Sequence, residues 1–342
     1  MSGTRPRGRV AALVCLLGAV LALAGCGGSG SGDATPEAGS APAAEGAFPV
    51  TIPTAFGDVT VPSRPKRVVA LGWGDAEVAL TLGVQPVGEA DWLAIGDNGV
   101  ADWVPQDKRY TTAPKSLGTL DVDMEQVAAL QPDLILDTRA SGERDRYDKL
   151  SGLGVPVVSI PQGAESYRTT WTGQLDLIGK ALGKTAEAAK VRTGLESKFA
   201  QTAAAHPEFT GRTVVVGSKT AGSYGAYVAG DSRVDFMTKL GFVPSPKVQA
   251  LAGEGFSVTI SPERMDLLDA DLTVISPIGV TAEQINADPL FQAVPSVRAG
   301  HGLVLSDQSI SQAFASATPL GLSWAIDKVV PLVAQTIARP GR

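Results

Sequence analysis

The segment DMEQVAALQPDLIL at 123–136 returns later in the chain as SPERMDLLDADLTV at 261–274. In register, Glu125 falls on Glu263, Leu130 on Leu268 and Asp133 on Asp271. Each copy reads as one plan: a capping residue, Asp123 or Ser261, opens a short helix with a glutamate in its first turn, and an apolar strand follows. Around the copies, apolar runs alternate with helical patterns: RVVAL, PVGEA, DLILD and PVVSI before residue 162, then TVVVGS, DLTVIS and GLVLSD after 211. That alternation predicts parallel-sheet α/β architecture built twice. Leu82-Gly83 and Leu240-Gly241 add a matched pair of helix ends, each closed by a glycine cap before a strand.

Between the copies, Ala188, Val191, Leu195 and Phe199 recur at helical spacing, with Thr185 placed to cap the start. The spacing predicts one helix over 185–206, about 30 Å long, acting as a strut between two lobes. Gly194 is its one obvious weak point. A separate helix is expected in the stretch 167–182, with Trp171, Leu175, Ile178 and Leu182 on one face. The expected organisation is a leader at 1–25, a tether at 26–47, an N-terminal lobe at 48–184, the linker helix at 185–206 and a C-terminal lobe at 207–342. At 342 residues and 44% hydrophobic, the chain can bury the core this requires.

The leader carries Arg5, Arg7 and Arg9, then AALVCLLGAVLALAG, which matches an export signal and is too short and too rich in Gly and Ala for a membrane span. It ends in Leu23-Ala24-Gly25-Cys26. Residues 27–46 are small, polar and interrupted by proline, as expected of a flexible tether. Cys15 lies inside the leader, so removing it leaves Cys26 as the sole cysteine. Losing the three leader arginines takes the formal charge from −6 to −9, which disfavours nucleic acid and anionic lipid as partners.

RVVALGWGDAEVALTLG, from Arg67 to Gly83, raises the question of a dinucleotide-binding turn. That turn needs three glycines, the third packing helix on strand. Gly72 and Gly74 fit, but the third position is Glu77, whose charge opposes a pyrophosphate at the helix start. The stretch is better read as a plain strand-to-helix turn with Trp73 at its tip. Chemistry elsewhere is sparse. His206 and His301 are the only histidines, so a ligand cluster for a free metal ion is not expected. No GxSxG, P-loop or HExxH sequence occurs, and Gly222-Ser223-Tyr224-Gly225 reads as a turn without a catalytic partner. An exported α/β enzyme is therefore the weaker alternative.

The ordered series VTVPSRPKRVVAL, LGVQPVG, PDLIL with Tyr147-Asp148-Lys149-Leu150, LGF and SVRAGHGLVLSD resembles the solute-binding lipoproteins of ABC importers. The resemblance is greatest to the group that captures iron-siderophore complexes, haem or cobalamin, and GWGDAE followed by Asp91-Trp92 looks most like its actinobacterial iron-siderophore binders. Leu23-Ala24-Gly25-Cys26 looks like the lipobox of such proteins, which implies lipid on Cys26 and a place on the outer face of the cytoplasmic membrane. The resemblance implies two Rossmann-like lobes with mainly parallel sheets joined by one long helix, with a ligand cleft between them. It also implies a monomer, no resident cofactor, a ferric siderophore as ligand and an ABC permease as partner. Cobalamin or haem is the alternative ligand; haem would ask Tyr224 or Tyr227 to serve as its axial ligand. By motif, Glu125 and Glu263 are the carboxylates that dock onto permease arginines; helix-end stabilisation alone is the plainer account of both.

Open α/β sheets bind ligands at the carboxyl ends of their strands. That rule selects Trp73, Trp92 and Arg139 on the first lobe, and Lys219, Tyr224, Tyr227 and Gln308 on the second. The aromatic rings suit the apolar linkers of a chelate, and Arg139 or Lys219 its partly negative oxygens. The lipobox yields a first test. Cys26→Ser is expected to move the protein from the membrane fraction to the soluble fraction with ligand binding intact, and unchanged membrane retention on cell fractionation contradicts the anchor.

Overall fold

The structure, a computed structural model, describes residues 46–93, 95, 100–253 and 255–340. The leader, the tether as far as residue 45 and Cys26 lie outside the described residues. The first half runs β1 (Val50–Thr54), β2 (Gly57–Val61), β3 (Val68–Ala70), α1 (Asp75–Thr81), β4 (Gly88–Glu89), β5 (Lys115–Ser116), α2 (Met124–Ala129), β6 (Leu134–Asp137), α3 (Arg144–Ser151), β7 (Val157–Ser159) and α4 (Trp171–Ala181). Helix α5 (Thr185–Ala205) follows. The second half runs β8 (Thr213–Lys219), β9 (Tyr224–Tyr227), α6 (Ser232–Lys239), β10 (Val243–Pro244), α7 (Pro246–Gln249), β11 (Ser257–Ile260) and β12 (Leu272–Pro277). It closes with α8 (Ala282–Asn286), α9 (Pro289–Gln292), α10 (Pro295–Arg298), β13 (Gly302–Val304), α11 (Gln308–Ser316) and α12 (Pro319–Ile337).

The first sheet has the order β5-β4-β3-β6-β7 and is parallel throughout. Strands β3, β6 and β7 are buried at every position, as sequences covered by helices on both faces must be. The second sheet has the order β11-β9-β8-β12-β13, with β10 beside the first residues of β8. Here β12, β13 and β10 run parallel to their neighbours, but β9 is antiparallel to both β8 and β11. The cause is local: Thr220 N–H donates to Ser223 O and Ser223 N–H to Thr220 Oγ1, turning the chain straight back on itself. Tyr224, expected in a turn, and Tyr227, expected in a ligand-contacting loop, therefore both stand on strand β9. A short β1–β2 hairpin, also unanticipated, buries Ile52, Val59 and Val61 on one face. Both sheets belong to one compact unit.

The repeat has a physical counterpart in its aspartates. Asp133, ahead of β6, accepts from the N–H groups of Lys66 and Arg67 at 2.8 Å, ahead of the neighbouring strand β3. Asp271, ahead of β12, accepts from Thr213 N–H and Oγ1–H at 2.7 Å, at the start of the neighbouring strand β8. These bonds hold the Asp271 carboxyl below its ordinary range. The helices differ: Asp123 caps α2 by accepting from the Glu125 and Gln126 N–H groups, whereas Pro262–Leu268 is a 3₁₀ segment kinked at Arg264, without a side-chain cap. Ser261 therefore does not play the capping part expected of it.

Helix α5 covers 21 residues, close to the expected span, and buries Ala188, Leu195 and Phe199 against α4 and α12. Its N-cap is Lys184, whose side chain makes no capping bond and pairs instead with Glu187; Thr185, expected to cap, is already the first helical residue. A Cβ at Gly194 would meet nothing within 4 Å. Gly194→Ala should therefore stabilise the fold by about 0.5–1 kcal/mol through the backbone entropy that glycine loses. Urea unfolding checks this; a lowered midpoint would show that the helix needs its weak point.

Candidate functional site

Strand β3 runs into Gly72-Trp73-Gly74 and then α1, and both glycines answer to protein atoms. A Cβ on Gly72 would lie 2.3 Å from Asp75 Oδ2 and 2.8 Å from Arg139 N; Gly74 sits at φ +81°, with Thr318 Cγ2 2.8 Å from where its Cβ would be. Asp75, fully buried, takes the place a phosphate would need: it accepts from Gly72 N–H at 3.1 Å, Thr138 N–H at 2.9 Å, Thr138 Oγ1–H and Gln174 Nε2–H at 2.6 Å. Burial raises its pKa to about 6 in spite of these donors. The turn is thus a closed structural junction, in keeping with the plain reading of the sequence.

That junction positions the aromatics. The Trp73 ring lies between Trp92 (centroids 4.6 Å apart, planes 5° apart) and Tyr167 (4.1 Å, 29°). Its indole N–H has no partner among the described residues. Arg139 sits 5.7 Å from the Trp92 ring centre. Only 4% exposed, it donates to Tyr167 O, to Ser316 O at 3.1 Å and to Ser232 Oγ, so it ties the first lobe to α6 and the end of α11. Burial lowers its pKa to about 10. Beside it, Glu77 accepts from Trp103 Nε1–H at 2.9 Å, Gly321 N–H at 3.2 Å and the Thr318 hydroxyl. A carboxylate at the start of the 19-residue helix α12 is well placed for the dipole.

A cavity of about 670 Å³ opens between the lobes. Trp92 and Leu93 form one wall; the other comprises Arg233, the β12–α8 loop from Ser276 to Glu283, and Ser306, Gln308, Ser311, Gln312 and Ala315 of the β13–α11 region. The walls touch where Gln312 Nε2–H donates to Leu93 O at 2.8 Å. Of the seven residues selected from sequence, Trp92 and Gln308 line the cavity. Trp73 and Arg139 lie next to Trp92 without lining it. Tyr227 lies under Arg233, whose guanidinium carbon is 3.6 Å from its ring centre. Tyr224 is buried, stacks on Phe291 and donates to Asp288 at 2.7 Å, while Lys219 lies 4.6 Å from its ring centre. Neither borders the cavity.

Sequence reasoning missed Arg233 and the β12–α8 loop. Arg233 forks onto Asp231, Nε to Oδ1 at 2.9 Å and Nη2 to Oδ2 at 2.7 Å. An arginine in the first turn of a helix opposes the dipole, and in Asp231-Ser232-Arg233 that was the available signal. Glu125 and Glu263 are both exposed. Each follows the outermost strand of its sheet, β5 or β11, on the side of the carboxyl ends; Ile260, closing β11, is level with Tyr224 and thus with Lys219, closing β8.

The sequence profile described as periplasmic binding protein matches residues 68–308. The chain belongs to this family. A periplasmic solute-binding protein of Mycobacterium smegmatis superposes with a TM-score of 0.72 at 27% identity, over 85% of this chain and 99% of that one. Streptococcus pneumoniae PiaA, solved in complex with ferrichrome, gives a TM-score of 0.70 at 24% identity, over 85% and 99%. The Fe(3+)-citrate-binding protein YfmC of Bacillus subtilis is 25% identical over 71% of this chain and 74% of its own length. YhfQ and YvrC, B. subtilis proteins named as ABC transporter substrate-binding lipoproteins, are 35% and 28% identical, but the chain spans only 44% and 54% of their length. These likenesses agree with the two-lobed α/β architecture expected from the repeat.

Glu89 closes β4 beside this site, 5% exposed, and accepts from Tyr110 O–H at 2.9 Å. Burial, with Asp91 and Glu77 nearby, raises its pKa from 4.5 to about 7. The folded protein therefore holds this proton more tightly than the unfolded chain, and the stability it confers below about pH 4.5 is lost as pH rises toward 7. Glu89→Gln should raise unfolding free energy by about 1–3 kcal/mol near pH 8 and leave it almost unchanged near pH 4.5. Thermal melts across that range check the slope; an equal effect at both ends contradicts a buried neutral acid.

Proposed function

We propose that the chain is an extracytoplasmic substrate-binding lipoprotein that captures a ferric siderophore in the interlobe cavity and delivers it to an ABC permease. The observation that carries this reading is the cavity itself. Its volume of about 670 Å³ falls in the range of small-molecule sites, and it joins the carboxyl-end loops of the two sheets. Trp92 offers an apolar face for a chelate's linkers; Arg233, Gln308 and Gln312 offer donors to its oxygens. A siderophore brings its own iron ligands, so the wall need only recognise the outside of the complex. Among the described residues the ionisable groups of the lining are Arg233, held by Asp231, and exposed Glu283, and these do not compose a base and nucleophile pair.

Names of relatives support the same ligand class: Fe(3+)-citrate-binding for YfmC and a ferrichrome complex for PiaA. Vitamin B12-binding proteins of Salmonella also match, over 32% of this chain. Haem asks for a tyrosine ligand, and neither Tyr224 nor Tyr227 borders the cavity. Among the described residues no helix is long and apolar enough to cross a membrane. The lipobox-like Leu23-Ala24-Gly25-Cys26 supports an anchor made by lipid on Cys26. Tryptophan fluorescence titration should show saturable quenching by a ferric siderophore. Saturation by cobalamin or haem alone would transfer the cavity to that ligand.

Glu125 and Glu263 are the proposed docking carboxylates, exposed at the outer edges of the two sheets. Replacing both with Ala should depress iron uptake roughly tenfold while ligand affinity stays constant, and reversal to Arg should be worse because like charges then face the permease. Normal uptake by the double variant would reduce both groups to helix-end stabilisers.

A further inference from the structure

The charged and polar groups of the cavity narrow its ligand. Arg233 is 8% exposed and Asp231 4%, and their two short bonds make a fork that cancels the charge of the wall. A polyanion could recruit Arg233 only by breaking this fork and depriving the buried Asp231 of its two charge-assisted bonds, which is costly. At the mouth stands Glu283, exposed and kept ionised below its ordinary range by its own backbone N–H and the Thr281 hydroxyl; it repels anions. Among the described residues the rest of the polar lining is neutral, comprising the hydroxyls of Ser276, Thr281, Ser306 and Ser311 and the amides of Gln308 and Gln312.

One of these hydroxyls is unpartnered. Ser276 stands near the carboxyl end of β12, opposite Ser218 of β8, and is 5% exposed. Its Oγ is buried and has no hydrogen-bond partner among the described residues, and since the residue itself lines the cavity, rotation about the Cα–Cβ bond would be needed to turn the hydroxyl toward a ligand. A buried polar group left unpaired costs the protein free energy. A carbonyl-type oxygen arriving in the cavity would supply the missing acceptor.

We propose that the cavity selects an electrically neutral, hydroxamate-type ferric chelate over polyanionic catecholate or carboxylate chelates, and that Ser276 is a specificity-determining donor to a hydroxamate oxygen. This rests on the ferric-siderophore reading above and goes beyond it by naming the class. Calorimetric titration with ferrichrome, a neutral tris-hydroxamate, and with a ferric tris-catecholate tests it. Ferrichrome should bind at least about tenfold more tightly. Ser276→Ala should weaken ferrichrome about five- to tenfold without lowering the melting temperature, since the change removes an unsatisfied buried hydroxyl. Asp231→Asn should shift the preference toward the tris-catecholate by freeing the charge of Arg233. Equal or tighter catecholate binding by the unmodified protein, or an unchanged ferrichrome affinity in Ser276→Ala, overturns the inference. Failure of every ferric chelate to bind overturns instead the functional reading on which it stands.

Discussion

Asp75 is the buried carboxylate on which the first wall depends. Four donors converge on it, from the turn after β3, from the end of β6 and from α4. Ionised, it pays for its desolvation with those bonds; with fewer of them it would be an uncompensated buried charge. The turn it closes holds Trp73 in its stack, and the stack holds Trp92 at the cavity. Trp73 N–H donates to Arg139 O at 2.8 Å, so the arginine loop is fixed by the same junction. A strand-to-helix turn that looks like a nucleotide site has had its anion built in as a side chain.

Coupling between the walls passes through the segment where α11 meets α12. Ala317 sits there at φ +56°, a left-handed conformation that is unfavourable for alanine and held by its surroundings. Arg139 grips Ser316 on one side and Glu77 grips Thr318 and Gly321 on the other. Earlier on α11, Ser309 bonds Asp102 at 2.8 Å and Gln312 reaches Leu93. One helix therefore lines the cavity and also clasps the opposite lobe. With α5 continuous behind both sheets, relative motion has to work against these bonds, which favours modest tilts over wide closure.

Periodicity made much of this legible. Helices α4 and α5 and the seven apolar strands stand close to where the patterns place them, because burial on one face or two leaves a repeating trace in sequence. Asp133 and Asp271 were visible as equivalents through the repeat, and the structure gives them the same strand-start role. What escaped depends on contacts distant in sequence. Tyr224 and Tyr227 became strand residues because the reversal closes at Ser223, within the turn read over 222–225, and the chain pairs with β8 from Tyr224 onward. Arg139 looked like a ligand group because it follows the carboxyl end of β6, yet it donates to two carbonyls and a hydroxyl of distant segments. Arg233 and Ser276 become cavity residues only once β9, α6 and β12 are brought side by side.

The proposed function seats an iron complex in the space between Trp92 and the β12–α8 segment and leaves the outer carboxylates for the membrane partner. Anomalous diffraction at the iron absorption edge, on crystals of the protein loaded with ferrichrome, tests that claim most directly. A single iron peak inside the cavity, with chelate oxygens facing Ser276 and Arg233, is the predicted result. An iron peak outside it, or iron coordinated directly by protein side chains, would contradict the account.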